Sequence, residues 1–585
     1  MNRANSGSGR RSAAKEGQRQ SRRWRPNPMG LSALLIAAVL LVPVFTVTAY
    51  LLEETDLMSH LAATVLPRYL ENTLWMMLAV PILTAAIGTG CAWLVTMCRF
   101  PGRRVFEWAL VLPLAAPAYI LAYVYSDFLQ HSGPVQMAVR DLMGWGPREG
   151  WFPNIRSLPG AIAMFSLTLY PYVYLLARTA FLEQSVGVLE TARVLGASPW
   201  GVFGRVALPL ARPAIATGVA LALMETLADF GTVAHFGVQT FTTGIYRALY
   251  SFGDPTAAAQ LATMLLGLVA LLLVLERATR GGKSYSASAV YHSLPSYPLR
   301  SWRAAGAVTA CLMPIALGFL LPTFLMISMA IEAGNLFQQR TLDLVTNTFT
   351  LAAIAAVTAV FVATLLAYAN RLDSSWLSRS AVRLTGLGYA VPGSVIAVGL
   401  LIPLGTLDNW LDATMRQLFG ISTGLIFTGS IIALVYAYLV RFMAVALNTV
   451  EAGLATVTPS LDDAARTLGR SSWRIVREVH VPIITGSLLT AGLIVFVDVL
   501  KELPATIILR PFDFDTLSIA AYNLAKDERL TQAAAPSLMI VLVGLVPLVI
   551  LSRRIAASRP GSSAAGTTQR TGGLRFRPRS GGAGH

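Results

Sequence analysis

Charge is what this chain has least of. Only 13% of its 585 residues are Asp, Glu, Lys or Arg, while 55% are hydrophobic. Soluble globular domains carry roughly 25% charge, so the composition excludes an ordinary soluble enzyme and marks a membrane protein. Cysteine is nearly absent as well. Cys91, Cys98 and Cys311 all stand in apolar surroundings, which leaves neither a disulfide framework nor a Cys/His zinc pattern. The six histidines are scattered, without the His/Asp cluster that a membrane-embedded enzyme would need. The nearest thing to a phosphate loop is RATRGGKS, 277–284, which has Arg277 where a Walker A sequence needs Gly. An apolar helix pattern, not a strand, precedes it. Any ATP hydrolysis belongs to another polypeptide. Acidic residues are outnumbered, giving a net charge of +16, but the basic residues form no aromatic-laced patch and no nucleic acid is expected as a partner. They fall in short runs between apolar stretches, the topology signal of a bacterial-type inner-membrane protein.

What is abundant is apolar sequence in lengths of about 20 residues, the span of a bilayer core. Candidate spans lie near 30–52, 73–97, 108–130, 159–182, 213–236, 256–276, 304–330, 348–370, 384–405, 422–449, 484–506 and 532–552. The first exceeds a signal-peptide core and lacks a small-residue cleavage site, so it reads as a retained helix. The expected fold is an all-α polytopic membrane protein of about twelve transmembrane helices in two parallel six-helix repeats. Residues 1–28 form a basic tail, 29–276 the first repeat, 277–303 a flexible linker, 304–552 the second repeat and 553–585 a Gly/Ser/Arg tail. Both tails are expected to be disordered. The Lys/Arg bias puts both termini in the cytoplasm, with lipid around the spans. Lys501 is the one basic residue read as lying within a span.

The repeats align residue by residue. Glu190 and Asp463, Gly196 and Gly469, and Pro209 and Pro482 are each 273 positions apart; Asn72-Thr73 and Asn347-Thr348, like Pro117 and Pro392, are 275 apart. Parallel repeats of this kind are related by an axis along the membrane normal, with the pathway between them. Two charged passages recur within the alignment, ETARVLGASPWGVFGRVALP at 190–209 and DAARTLGRSSWRIVREVHVP at 463–482. Each reads as a short amphipathic helix, a break and a second helix, with Gly196 or Gly469 as the left-handed residue ending the first. Pro209 and Pro482 suit the first turn of the following span. Two such surface helices related by pseudo-symmetry fit a cytoplasmic partner that is itself a two-fold dimer.

These passages resemble the EAA loop of binding-protein-dependent ABC importer permeases: E-A-A, three residues, Gly, nine residues, an aliphatic, one residue, Leu-Pro. The first copy supplies Glu190, Thr191, Ala192, Gly196, Val206 and Leu208-Pro209. The second supplies Asp463, Ala464, Ala465, Gly469, Val479 and Val481-Pro482. Thr191, Asp463 and Val481 depart from the pattern. The resemblance implies a type I importer permease fold, with Glu190–Phe203 and Asp463–Val476 as coupling helices seated on a cytoplasmic ABC ATPase dimer. It also implies a periplasmic substrate-binding protein, ATP and Mg held by the ATPase partner, and no cofactor on this chain.

Charge inside the spans points to the pathway. LMETLADFGTVAHFG holds Glu225 and Asp229, and VDVLKELPATIILRPFDFDTL holds Asp498, Lys501 and Glu502. An ionisable residue at a helix centre costs roughly 2.5–3.5 kcal/mol on insertion scales, so it faces a cavity or a partner. Two readings stand side by side: Asp229 and Glu502 on a pathway, or charge pairing by Lys501 with Asp498 or Glu502. These segments and LADFGTVAHFGVQTFTTGIYRALYS resemble fused permeases of bacterial ferric-iron importers, which implies iron import by alternating access. No His or Tyr cluster at matched depth offers a ferric site: His235 stands alone, and Tyr170 and Tyr172 face opposite ways on a helix. Whether the span region holds a metal is left open, as are thiamine, polyamine, sulfate or phosphonate as cargo. An ion-coupled secondary transporter would have no use for two matched surface helices.

Overall fold

The structure, a computed structural model, describes residues 28–557 apart from 147–148, 151, 185, 281–296, 335, 373–374, 387 and 471. Most of the two tails, and residues 281–296 of the expected linker, lie outside the described residues. Among the described residues eleven helices are long and apolar enough to cross a membrane, or twelve if one bent pair counts as a span. The first half contains α1 (Gly30–Leu52), α2 (Leu66–Met97), α3 (Leu158–Glu183), α4 (Trp200–Ala228) and α5 (Pro255–Ala278). The second contains α6 (Trp302–Ala333), α7 (Gln339–Arg371), α8 (Gly393–Phe419), α9 (Ile431–Ala455), α10 (Val476–Leu500) and α11 (Leu530–Leu548).

Several local outcomes differ from the sequence expectation, among them the spans read at 422–449 and 484–506, which run instead over Ile431–Ala455 and Val476–Leu500. The stretch 108–130 is no straight span: Arg103–Ala115 and Ala118–Met143 meet at 88°. Pro117 is the cause, since a residue before proline is driven out of the helical region, and Ala116 is extended at φ −106°, ψ 113°. The repeat mate Pro392 stands at the N-cap of α8, so that span begins at 393 and not near 384. The stretch 213–236 ends early. Its helix stops at Ala228, and Gly231–His235 forms a separate short helix. Finally, Pro209 and Pro482 do stand in the first turn of the α-helical stretches Leu208–Ala228 and Val481–Leu500, but those stretches continue helix already under way. α4 and α10 already run through five-residue π turns at Phe203–Ala207 and Val476–His480. A π turn widens the backbone ring and accommodates the proline that follows without breaking the helix.

The pseudo-symmetry reaches individual hydrogen bonds. Ser157 accepts from the Gly160 amide at the start of α3, and Ser430 accepts from the Ile432 amide at the start of α9; each satisfies a donor left over at a helix N-terminus. α2, α3 and α4 pack as one bundle, and α7, α9 and α10 as its counterpart. The outer helices are exchanged. α1 lies against α8 of the other half, and Gly399 permits the crossing, because a Cβ there would come within 2.2 Å of the Pro43 carbonyl oxygen.

Candidate functional sites: two glycine-broken loops and a cavity between the halves

The first repeated loop is a helix, Val186–Val194, closed by Gly196 at φ 83°. The Gly196 amide donates to the Arg193 carbonyl (2.9 Å) and the Ala197 amide to the Ala192 carbonyl (3.0 Å), a Schellman closure that needs a left-handed residue. The second loop is Pro459–Thr467, closed by Gly469 at φ 73°, with the Arg470 amide donating to the Ala465 carbonyl at 3.1 Å. Along both loops the inner side is tied to the helical body and the outer side is bare. Ala192 is half-buried and Ala465 buried, as Val206 and Val479 are half-buried; Glu190, Thr191, Asp463, Ala464, Pro209 and Pro482 are exposed. At the glycine bend Leu195 is 82% exposed and its mate Leu468 80%, with Val194 and Trp200 bare beside the first.

The five charged residues singled out in the spans come together. Glu225, Asp229, Asp498, Lys501 and Glu502 line one cavity of about 110 Å³, closed by Ala116–Tyr119 at the helix break, Tyr172 of α3, Tyr389, and Arg441 of α9. Elements of both halves contribute. Within it the carboxylates have different tasks. Asp229 Oδ1 accepts from the Thr232 amide (2.9 Å) and Oδ2 from the Thr232 hydroxyl (3.1 Å). Its mate Glu502 accepts from the Ala505 and Thr506 amides (3.0 Å each) and the Thr506 hydroxyl (2.6 Å). Both cap the short helices that follow α4 and α10, Gly231–His235 and Pro504–Leu509. Lys501 Nζ binds Asp498 Oδ1 at 2.9 Å, whereas Glu225 accepts from the Tyr389 hydroxyl at 2.9 Å.

Two features of this cavity correct the sequence reading. Arg441 is a second basic residue in a span, only 8% exposed; the rule that flags lone intramembrane charge picks it out of LVRFM. Three tyrosines, Tyr119, Tyr172 and Tyr389, also meet here. They arrive from three separate segments, so no local spacing announces them. Tyr170, facing the other way, packs in an apolar cluster with Tyr174 and Cys91. His235 is no cavity residue: its Nε2 lies 2.9 Å from Ser126 Oγ and its ring 4.8 Å from Tyr123. Among the described residues, no three His, Cys, Asp or Glu are placed to hold a metal ion.

Two pseudo-symmetric helical bundles around a shared polar cavity, with matched loops on one end, define a membrane permease of the two-repeat kind. The chain belongs to the family of binding-protein-dependent transport system inner membrane components, which matches residues 31–276 and 359–558. It is 26% identical to the Fe(3+)-transport system permease protein FbpB 2 of Haemophilus influenzae, over 83% of this chain and 89% of that one. It is 24% identical to the probable ABC transporter permease protein y4fN of Sinorhizobium fredii over 84% and 88%. A single-length relative, the molybdenum transport system permease protein ModB of Escherichia coli, is 27% identical over 32% of this chain and 80% of its own.

Proposed function

We propose that this permease imports ferric iron, taking it from a periplasmic substrate-binding protein and driven by a separate cytoplasmic ABC ATPase dimer. It sits in a bacterial inner membrane with both termini in the cytoplasm. The observation that carries the coupling assignment is the matched pair Leu195 and Leu468, large apolar side chains more than three-quarters exposed at equivalent glycine bends. Large apolar side chains held bare at equivalent bends, related by pseudo-symmetry, match a two-fold partner. Glu190, Thr191, Ala192, Gly196, Val206 and Pro209 form one coupling loop; Asp463, Ala464, Ala465, Gly469, Val479 and Pro482 form the other. ATP and Mg belong to the ATPase, and this chain binds no cofactor.

Cargo crosses between the halves through the cavity of Glu225, Asp229, Asp498, Lys501 and Glu502 by alternating access. Iron is favoured by the ferric-transport relative, whose similarity runs through both repeats. The test is labelled ferric-iron uptake in iron-starved cells lacking the gene, with labelled molybdate, thiamine and putrescine run alongside. Complementation by the wild-type chain should restore iron, and an ATPase should co-purify with it. Restoration of another cargo alone removes iron; a chain that transports without any ATPase removes the coupling scheme.

A further inference from the structure

The repeat separates what the fold requires of the cavity from what it does not. Carboxylates stand at matched positions, Glu225 with Asp498 and Asp229 with Glu502, at the shared spacing of 273. The cations do not. Lys501 aligns with Ala228, and Arg441 aligns with Thr168. In the first half Thr168 returns its hydroxyl to the Met164 carbonyl of its own helix at 2.9 Å, and the same three-helix bundle forms. Arg441 is thus not demanded by the architecture.

Nor is it satisfied by it. Among the described residues Nε and Nη1 of Arg441 meet no hydrogen-bond acceptor although both are buried, and Nη2 stays 3.9 Å from Glu225 Oε2. Leaving a charged group buried without hydrogen bonds costs several kcal/mol, and the guanidinium fork suits the paired oxygens of a carboxylate or tetrahedral oxyanion. The cavity has room for one: its roughly 110 Å³ far exceeds the ~10–15 Å³ that one water requires on this measure. Yet four carboxylates against two cations leave the lining net negative, so an oxyanion entering alone is repelled. A positive centre is needed with it. The His, Cys, Asp and Glu side chains do not by themselves supply a replacement shell for such a cation, since no three of them are placed to hold one among the described residues.

We infer that the cavity receives a metal cation still carrying an oxyanion or carboxylate ligand, whose oxygens are gripped by Arg441 while Glu225 and Asp498 balance the cation. The inference rests on reading the cavity as the cargo pathway. It makes Arg441 a cargo-binding residue of the second half with no counterpart in the first.

The full chain in lipid nanodiscs, with no ATPase present, is assayed by equilibrium dialysis against labelled ferric citrate, citrate alone and molybdate alone. Ferric citrate should bind, and Arg441→Met should weaken it by about tenfold or more, the loss of one charge-assisted contact. Arg441→Lys, which keeps the charge and loses the fork, should fall between. Thermal melts identify variants that fail to fold, in which case the Lys variant decides. Equal binding by wild type and Arg441→Lys, or citrate or molybdate alone binding as tightly as ferric citrate, overturns the inference. Neither result touches the import scheme, and a missing ATPase would leave Arg441-dependent binding intact.

Discussion

The two repeated loops share a backbone and differ in what holds them to the body of the protein. Under the first loop lies an apolar cluster: Leu189 is 1% exposed and packs with Val202, Phe181 and Trp93, whose rings meet Phe203. Arg193 lies 5.4 Å over the ring of Tyr297. Under the second loop, at the positions 273 further on, Leu189 becomes Asp462 and Ala207 becomes His480. Asp462 takes two hydrogen bonds from Arg371, at 2.9 and 3.2 Å, and one shared with His480. Arg371 also donates to the Leu454 and Val457 carbonyls, and the His480 ring stacks on Tyr368 at 5.5 Å. The same geometry is fixed once by burial and once by a polar network. Burial is indifferent to protonation and direction; the network is neither.

Exchanging the two solutions tests the contrast most severely. Leu189→Asp places a carboxylate in a cluster with no partner and should destabilise the chain by about 3–5 kcal/mol, read as a lower Tm in detergent. The reverse exchange is milder. Asp462→Leu strands Arg371 and His480 beneath a half-open loop and should cost about 1–3 kcal/mol, with part recovered on adding His480→Ala, which completes the first-half pair. A double variant no better than the single would show that the network does not act as a unit. Next come Gly196→Arg and Gly469→Arg. A left-handed non-glycine costs roughly 1–2 kcal/mol, enough to cut the docking-competent loop, and with it uptake, by about tenfold in a chain that still inserts. If only one substitution uncouples transport from ATP hydrolysis, the two loops are not equivalent.

The smallest effect is with pH. Burial pushes the Asp462 carboxyl up, but the hydrogen bonds and charges of Arg371 and His480 outweigh it and hold it below the usual carboxylate range. A carboxyl depressed in the folded state contributes stability above its unfolded value of about 3.9 and loses it as pH falls through the folded one. Amide exchange should therefore quicken in 459–467 in acid, with no matching change in 186–194.

Much of this was legible in the sequence because the repeat is an internal alignment. One pair of glycines and one pair of prolines set the offset, and that offset put Glu225 with Asp498 and Asp229 with Glu502 at matched positions. The rest depended on contacts between distant segments. Nothing near Pro117 or Pro392 marks a helix start within an apolar run, although each stands at the N-cap of the helix that follows it. Asp229 and Glu502 read as pathway groups because their capping partners Thr232, Ala505 and Thr506 look like ordinary span residues. Arg441 differed in kind: its charge was visible, and only its position opposite Glu225 required three dimensions.

The exchanged outer helix sets a timetable. α1 is held partly by α5 of its own half, where the Thr263 hydroxyl donates to the Val47 carbonyl at 2.7 Å, but its larger surface lies on α8, which begins at Gly393, so α1 waits for some 340 further residues before that surface exists. At about 5–20 residues per second that is roughly 20–70 s with only its first-half contacts made. A helix whose larger partner arrives with the second half makes fusion of the two halves an aid to assembly: the late partner is always tethered to the early one.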